Sequence, residues 1–291
     1  MEICRVDPSS GTPIIDTAVH LWDAATYHRM HGDWLDARPE LKRSWLPADL
    51  EHDLAACGVR QAVIIEAARD RHELNLWWLE LAQRHAFLGP VVAGGKLEQP
   101  DLAAWLDAYT RSEHFAGIRT MPAGAPSEWG ENPATARGLA ELARRDLCLE
   151  LLVGWRAFAA VAALADAYPH LRIILDHCGM PPFAGGPEEW AAWSAGFQAL
   201  AQRPNVTVKY ASLLLYAEPV RDLARLRPPA EFLLETFGPS RLMWGSNWPV
   251  ELRYGSYRDT FDVMQACAGP LSPAEQAELY GGAARHAYRI P

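Results

Sequence analysis

Cysteine is scarce in this chain, scattered and odd in number: Cys4, Cys57, Cys148, Cys178 and Cys267 lie far apart and form no CxxC pair. That pattern excludes a disulfide framework and a cysteine-rich zinc site, and leaves the thiols to be read as small buried hydrophobes. No stretch approaches ~20 uninterrupted apolar residues, and Met1 to Gly11 has no apolar core of the kind a signal peptide needs. Neither a membrane span nor an export leader is predicted, so the expected location is cytoplasmic. A basic excess is missing as well. The 27 Lys and Arg against 36 Asp and Glu leave a net charge of -9, spread along the chain, not gathered in blocks. Nucleic acid and anionic membrane surfaces are therefore excluded as expected partners, and a small-molecule substrate is favoured. A homo-oligomer stays open, because the helical outer surface is too generic to identify an interface.

What is present is a large apolar content, 49% over 291 residues, enough for a sizeable core. Three apolar runs end in polar clusters. The first is Pro13-Ile14-Ile15-Asp16-Thr17-Ala18-Val19-His20-Leu21-Trp22-Asp23; the others are Arg172 to Gly179, with Asp176-His177-Cys178, and Arg241 to Pro249, with Gly245-Ser246-Asn247-Trp248. Each reads as a buried strand that delivers its last side chains to a pocket at the carboxyl edge of a parallel sheet.

Between these runs the chain alternates. After the first strand, the irregular polar and aromatic segment from about 23 to 46 reads as a lid, with His28, His31, Trp34 and Trp45. A helix starts at Pro47 and stops at Gly58. Strands are predicted at Gln61–Glu66, Gly89–Ala93, Ala116–Thr120, Leu147–Val153, Leu171–Leu175, Val206–Tyr210 and Leu242–Gly245. Helices are predicted near Arg71–His85, Asp101–Thr110, Pro133–Arg145, Ala157–Tyr168, Glu188–Gln202, Pro229–Phe237, Tyr257–Ala266 and Ala274–Tyr288. Eight strand-helix units at spacings of about thirty residues argue for an α/β fold of one (β/α)8 TIM barrel spanning 1–291, with its site at the C-terminal ends of the strands.

In such a barrel His20, Glu66, Arg119, Trp155, His177, Lys209, Tyr210 and Asn247 fall at strand ends around one cavity. His20 and His177 are the candidate bases, with Asp176 placed to orient an imidazole; either histidine also has a bland reading as a satisfied core residue. Arg119 suits an anionic or carbonyl oxygen of a ligand, or else pins the structure through a salt bridge. Glu66, an ionised carboxylate ending a Val/Ile strand, serves as a catalytic base or as half of an ion pair. Lys209 and Tyr210 are adjacent in a strand, so regular geometry lets only one face inward. Trp22 and Trp248 flank the polar ends and could wall an apolar pocket, as could Trp155.

The chain resembles the amidohydrolase superfamily, in the amidohydrolase-2 branch that includes sugar lactonases and 2-pyrone-4,6-dicarboxylate lactonase. The resemblance runs from about Pro13 to the C-terminus. Asp16-Thr17-Ala18-Val19-His20-Leu21-Trp22 is similar to that branch's Asp-x-His-x-His-x-Trp opening, Asp176 to Pro181 to its Asp-His-x-Gly-x-Pro motif, and Gly245 to Pro249 to Gly-Ser-Asp-Trp-Pro. Gly117-Ile118-Arg119 and Val208-Lys209 also fall where the branch would have them. The resemblance implies that Ala18 stands where a ligand histidine would be, that Asn247 stands where an aspartate would hold metal and accept a proton from water, and that Ala283 replaces an asparagine. A catalytic zinc generally needs three protein ligands, and His20 and His177 supply two. Glu66 would have to complete the set. No metal and no other cofactor is therefore expected. Three readings follow: a metal-independent enzyme acting on a small lactone or cyclic carbonyl compound; a non-hydrolytic cyclase, isomerase, eliminase or decarboxylase; and a non-catalytic small-molecule-binding protein.

Overall fold

Eight short strands, β1 (Ile14–Val19), β2 (Val59–Ile65), β3 (Leu88–Gly94), β4 (Phe115–Thr120), β5 (Cys148–Leu151), β6 (Arg172–Leu175), β7 (Val206–Tyr210) and β8 (Leu242–Trp244), pair in sequence order in the computed structural model. The structure describes residues 13–26, 35–68, 71–120, 128–217 and 222–291. All seven ladders are parallel, and helices alternate with the strands: α1 (Pro47–Cys57), α2 (His72–Arg84), α3 (Leu102–Tyr109), α4 (Pro133–Arg144), α5 (Phe158–Ala167), α6 (Pro187–Ala201), α7 (Leu213–Ala217), α8 (Leu223–Phe237), α9 (Tyr257–Ala268), α10 (Pro273–Ala277) and α11 (Ala283–Tyr288). This is the (β/α)8 barrel the alternation predicts.

Local chemistry sets the ends. Helix α1 opens with proline in its first turn and an Asp49 carboxylate on the Leu46 amide, and closes at Gly58, whose φ of 71° suits a residue without Cβ. Two departures from the sequence expectation have a visible cause. Helix α8 begins at Leu223, not Pro229, because the Asp222 side chain caps the Ala224 amide and starts the helix ahead of Pro228 and Pro229. The expected helix Ala274–Tyr288 is broken by a π-helical turn, Glu278–Gly282, between α10 and α11. Of the predicted lid, His28, His31 and Trp34 lie outside the described residues. Its described remainder is packed down: Leu35, Leu41 and Trp45 are buried, and Trp22 and Trp45 form an antiparallel bridge.

The interior is layered. Ile15, Val63, Ile65, Val92, Cys148, Ile174 and Met243 point into the barrel and pack with Ala283, Ala284, Ala287 and Tyr288 of α11, while their neighbours Ile14, Ile64, Val91, Leu149 and Ile173 join the larger core shared with the helices. Further along the strands the filling becomes ionic, with Glu150, Asp176, Lys209, Arg119 and Glu66 all buried. Between β8 and β1 the barrel is joined mainly by side chains. Thr17 Oγ1 donates to the Trp244 carbonyl, and Asp16 accepts from the Ser246 amide and the Tyr257 hydroxyl, so Asp16 serves the seam and not the cavity.

Candidate active site

His20 reaches the cavity through a bulge. Asp16 pairs with Ala62 and Val19 with Ile64, so β1 spends three residues where β2 spends two. The extra residue turns Val19 into the outer core and sends His20 inward. There the imidazole Nδ1 lies 3.1 Å from the Ile65 carbonyl oxygen and 3.2 Å from that of Glu66, so Nδ1 carries the proton and Nε2 is left as a lone pair. Asn247 Oδ1 is placed 3.2 Å from Nε2. With the proton on Nδ1 both of these atoms are acceptors, so this tautomer requires the Asn247 amide turned so that its N–H donates to Nε2. Burial pulls the His20 imidazole down to about 3, and the nearby Arg119, His177 and Lys209 charges push the same way.

His177 opens a tight turn, His177–Gly179, after β6. Its Nδ1 lies 2.9 Å from the Ser212 hydroxyl, and burial lowers it to about 4 against the opposing pull of Asp176. Both imidazoles are therefore neutral at physiological pH. Non-glycine residues with positive φ crowd this rim: His177 at 52°, Cys178 at 50°, Met180 at 55°, Ser212 at 63° and Asn247 at 55°. Such backbone costs ~1–3 kcal/mol per residue and clusters at functional sites.

Beneath the imidazoles lies a closed ion network. Arg119 donates through Nε to Glu66 Oε1 at 2.9 Å, through one terminal nitrogen to the Glu66 carbonyl at 2.7 Å, and through the other to Asp176 at 3.2 Å. Lys209 Nζ lies 2.5 Å from Glu150 and 3.4 Å from Asp176, and the Tyr288 hydroxyl donates to the second Glu150 oxygen. Burial pushes Glu150 up to about 8, whereas the two cations and His177 hold Asp176 below the usual carboxylate range.

These contacts correct several expectations. Asp176 does not orient His177; Ser212 stands in that place, and Asp176 is held by the cations. Glu66 Oε1 accepts from the Arg119 fork, which is the ion-pair reading of this residue. Arg119 is bound first to protein carboxylates, and Lys209 is fully buried by the same network. Tyr210 points out of the barrel, its hydroxyl donating to the Met264 carbonyl of α9. Trp22 donates to the Arg43 carbonyl and lines a different cavity of about 220 Å³ with Trp77 and Trp78. Trp248 donates to Asp53 and packs edge-on against Trp45, anchoring its loop to α1. Trp155 does border an open cavity of about 700 Å³, together with Trp129, Met180, Phe183 and Tyr216. The Tyr216 ring centre is 6.3 Å from that of His177, so one lining residue of this cavity packs against the imidazole. Sequence reasoning missed Ser212 and Tyr216, although Ser212 lies two residues beyond β7, within reach of the strand-end rule.

The donor set can be tested against a metal centre. His20 Nε2 and His177 are the imidazoles the rim offers, Asn247 brings a neutral amide and Ala18 no donor atom, Glu66 gives one oxygen to Arg119, and Asp176 lies between Arg119 and Lys209. Among the described residues no three His, Cys, Asp or Glu side chains are grouped to share an ion. This set does not fit a three-ligand zinc centre.

A (β/α)8 barrel with neutral imidazoles, an amide and a cavity at the C-terminal strand ends is a small-molecule enzyme site in form. Residues 15–290 match the amidohydrolase family, and the chain belongs to it. It is 34% identical over 285 residues to an L-fucono-1,5-lactonase of Burkholderia ambifaria, covering 95% of each chain. It is 30% identical to an L-fucono-1,5-lactonase of Burkholderia multivorans, covering 95% of this chain and 96% of that one. A crystal structure of a Burkholderia multivorans amidohydrolase with bound zinc superposes with a TM-score of 0.86 at 30% identity, covering 96% of this chain and 100% of that one.

Proposed function

We propose that the chain hydrolyses a small lactone without a resident metal, with His20 as general base and Asn247 as a neutral donor to the carbonyl oxygen. The observation that supports this best is the seat of His20, whose Nδ1 faces two backbone carbonyls while Nε2 faces Asn247. Water bonds the lactone carbonyl carbon and gives a proton to Nε2, and the carbonyl electron pair moves onto oxygen. The Asn247 N–H, released from Nε2, meets that oxyanion. Collapse breaks the ring C–O bond, and the proton on Nε2 passes to the leaving alkoxide, giving a hydroxy acid. A buried base this weak becomes adequate because the negative charge developing beside it raises its proton affinity. The lactonase relatives lend the substrate class its support. Metal independence rests on the donor set described above.

Turnover of a panel of five- and six-membered lactones in heavy-oxygen water, with and without chelator, tests this. We expect a product heavier by one labelled water, no effect of chelator, and a loss of roughly 10²–10⁴-fold in His20→Ala. A product of unchanged mass would replace hydrolysis by isomerisation. Activity lost to chelator and restored by zinc would remove the metal-independent mechanism.

A further inference from the structure

Glu251 is a buried carboxyl for which the hydrolysis drawn above has no use. It follows Asn247 in the same loop, within the turn Val250–Arg253, and is 1% exposed. Its Oε1 accepts from the Leu215 amide at 3.0 Å, and its Oε2 is buried without a hydrogen-bond partner among the described residues. Burial pushes this carboxyl up to about 8, so at neutral pH it is an uncharged acceptor.

Two loops of the rim meet on this side chain. The Glu251 N–H donates to the Asn247 carbonyl at 3.2 Å, which closes the turn on the residue that faces His20. Leu215 stands in the first turn of α7, where an amide has no acceptor within its own helix and needs one from outside. Ser212, which holds His177 Nδ1, immediately precedes that helix, and the Tyr216 amide returns to the Ser212 carbonyl at 3.3 Å. The same stretch is tied to the His177–Gly179 turn by Cys178, whose Sγ donates to the Ala211 carbonyl at 3.5 Å. The Glu251 carboxyl thus joins the segment that carries Asn247 after β8 to the segment that carries Ser212 after β7. Both ends are strained, with φ of 55° at Asn247 and 63° at Ser212. Backbone of that kind persists only where its surroundings over-determine it, and Glu251 supplies a restraint common to both residues.

We infer that Glu251 is a positioning residue, whose carboxyl oxygen on the Leu215 amide fixes the Asn247 amide relative to the His177 imidazole held by Ser212. The reaction it serves rests on the lactone reading. Its side-chain partner is a backbone amide and not a reacting atom, so its loss should fall on kcat and spare KM.

Glu251→Leu fills the same space without an acceptor, and Glu251→Gln keeps the acceptor and the shape. Thermal melts establish that each variant folds, with Glu251→Met as a second apolar replacement where leucine fails. Lactone turnover is one readout; the other is the ring nitrogen NMR signals of His177, assigned by their loss in His177→Ala. We expect Glu251→Leu to lower kcat by about ten- to a hundredfold with KM within about twofold, and to move the His177 signals, because small misplacements at a reacting centre are costly. Glu251→Gln should restore both. Moved signals that glutamine restores, with no lactone hydrolysed by any form, would uphold the positioning role and sink the hydrolase. A folded Glu251→Leu with wild-type kcat, or a glutamine variant as impaired as the leucine one, would overturn the role of Glu251 and leave the hydrolase standing. Unmoved His177 signals overturn it whether or not lactones are turned over.

Discussion

On the proposed mechanism, Asn247 is the residue that sets the chemistry of this barrel. Its amide lies 3.2 Å from His20 Nε2, where a carboxylate would instead attract a proton onto that imidazole and oppose the oxyanion. We expect Asn247→Asp to lower kcat for lactone hydrolysis by roughly 10²–10³, the usual loss for one well-aimed oxyanion donor. A rise in kcat would mean that Asn247 is a degraded base, not a donor. The same environment shapes the acid limb of activity. Because burial holds His20 at about 3 and His177 at about 4, both stay unprotonated well below the 6.5 of an ordinary imidazole. A kcat/KM profile should therefore stay level from neutrality to about pH 5. A midpoint near 6.5 would assign the base to a different group.

At the scale of elements, the strand ends were legible but their partners were not. The apolar runs and the breakers after them locate His20, Glu66, Arg119, His177 and Asn247, because strand periodicity and turn chemistry are local properties. What each side chain touches depends on which strands become neighbours and on register, which is not local. The β1 bulge that turns His20 inward leaves no mark in composition, and Trp248 reads as a pocket wall until α1 is seen to present Asp53 to its indole. Arg119 is the clearest case. Extending from β4, it ties the end of β2 to the end of β6 through Glu66 and Asp176, so its guanidinium is shared between protein carboxylates. Arg119→Lys keeps the charge but cannot make all three bonds. We expect a loss of ~1–3 kcal/mol, the cost of leaving a buried acceptor unpaired, read as a lower denaturant midpoint. Unchanged stability with a raised KM would instead make Arg119 a substrate anchor.

For the whole molecule, the buried titratable groups act together on stability, and their signs differ. His20 and His177 have folded values near 3 and 4, below the 6.5 of the unfolded chain, so the unfolded state binds more protons in between. Their contribution is complete above 6.5 and is lost as pH falls toward 3. Glu150 and Glu251 run the other way: burial lifts both to about 8 from 4.5, so the folded state holds the extra protons. Their contribution is complete below 4.5 and is lost as pH rises through 8. Between 4.5 and 6.5 the two slopes oppose each other, so stability should be highest and nearly level in that window, fall in acid, and fall again from about 6.5 to about pH 8. Denaturant midpoints measured across this range check the shape, and Glu251→Gln, which cannot titrate, should flatten part of the alkaline decline. A maximum at pH 8 or above would mean that the carboxyls of Glu150 and Glu251 are ionised in the folded barrel. In that case the charges of Lys209 and Arg119 would outweigh the cost of burying Glu150.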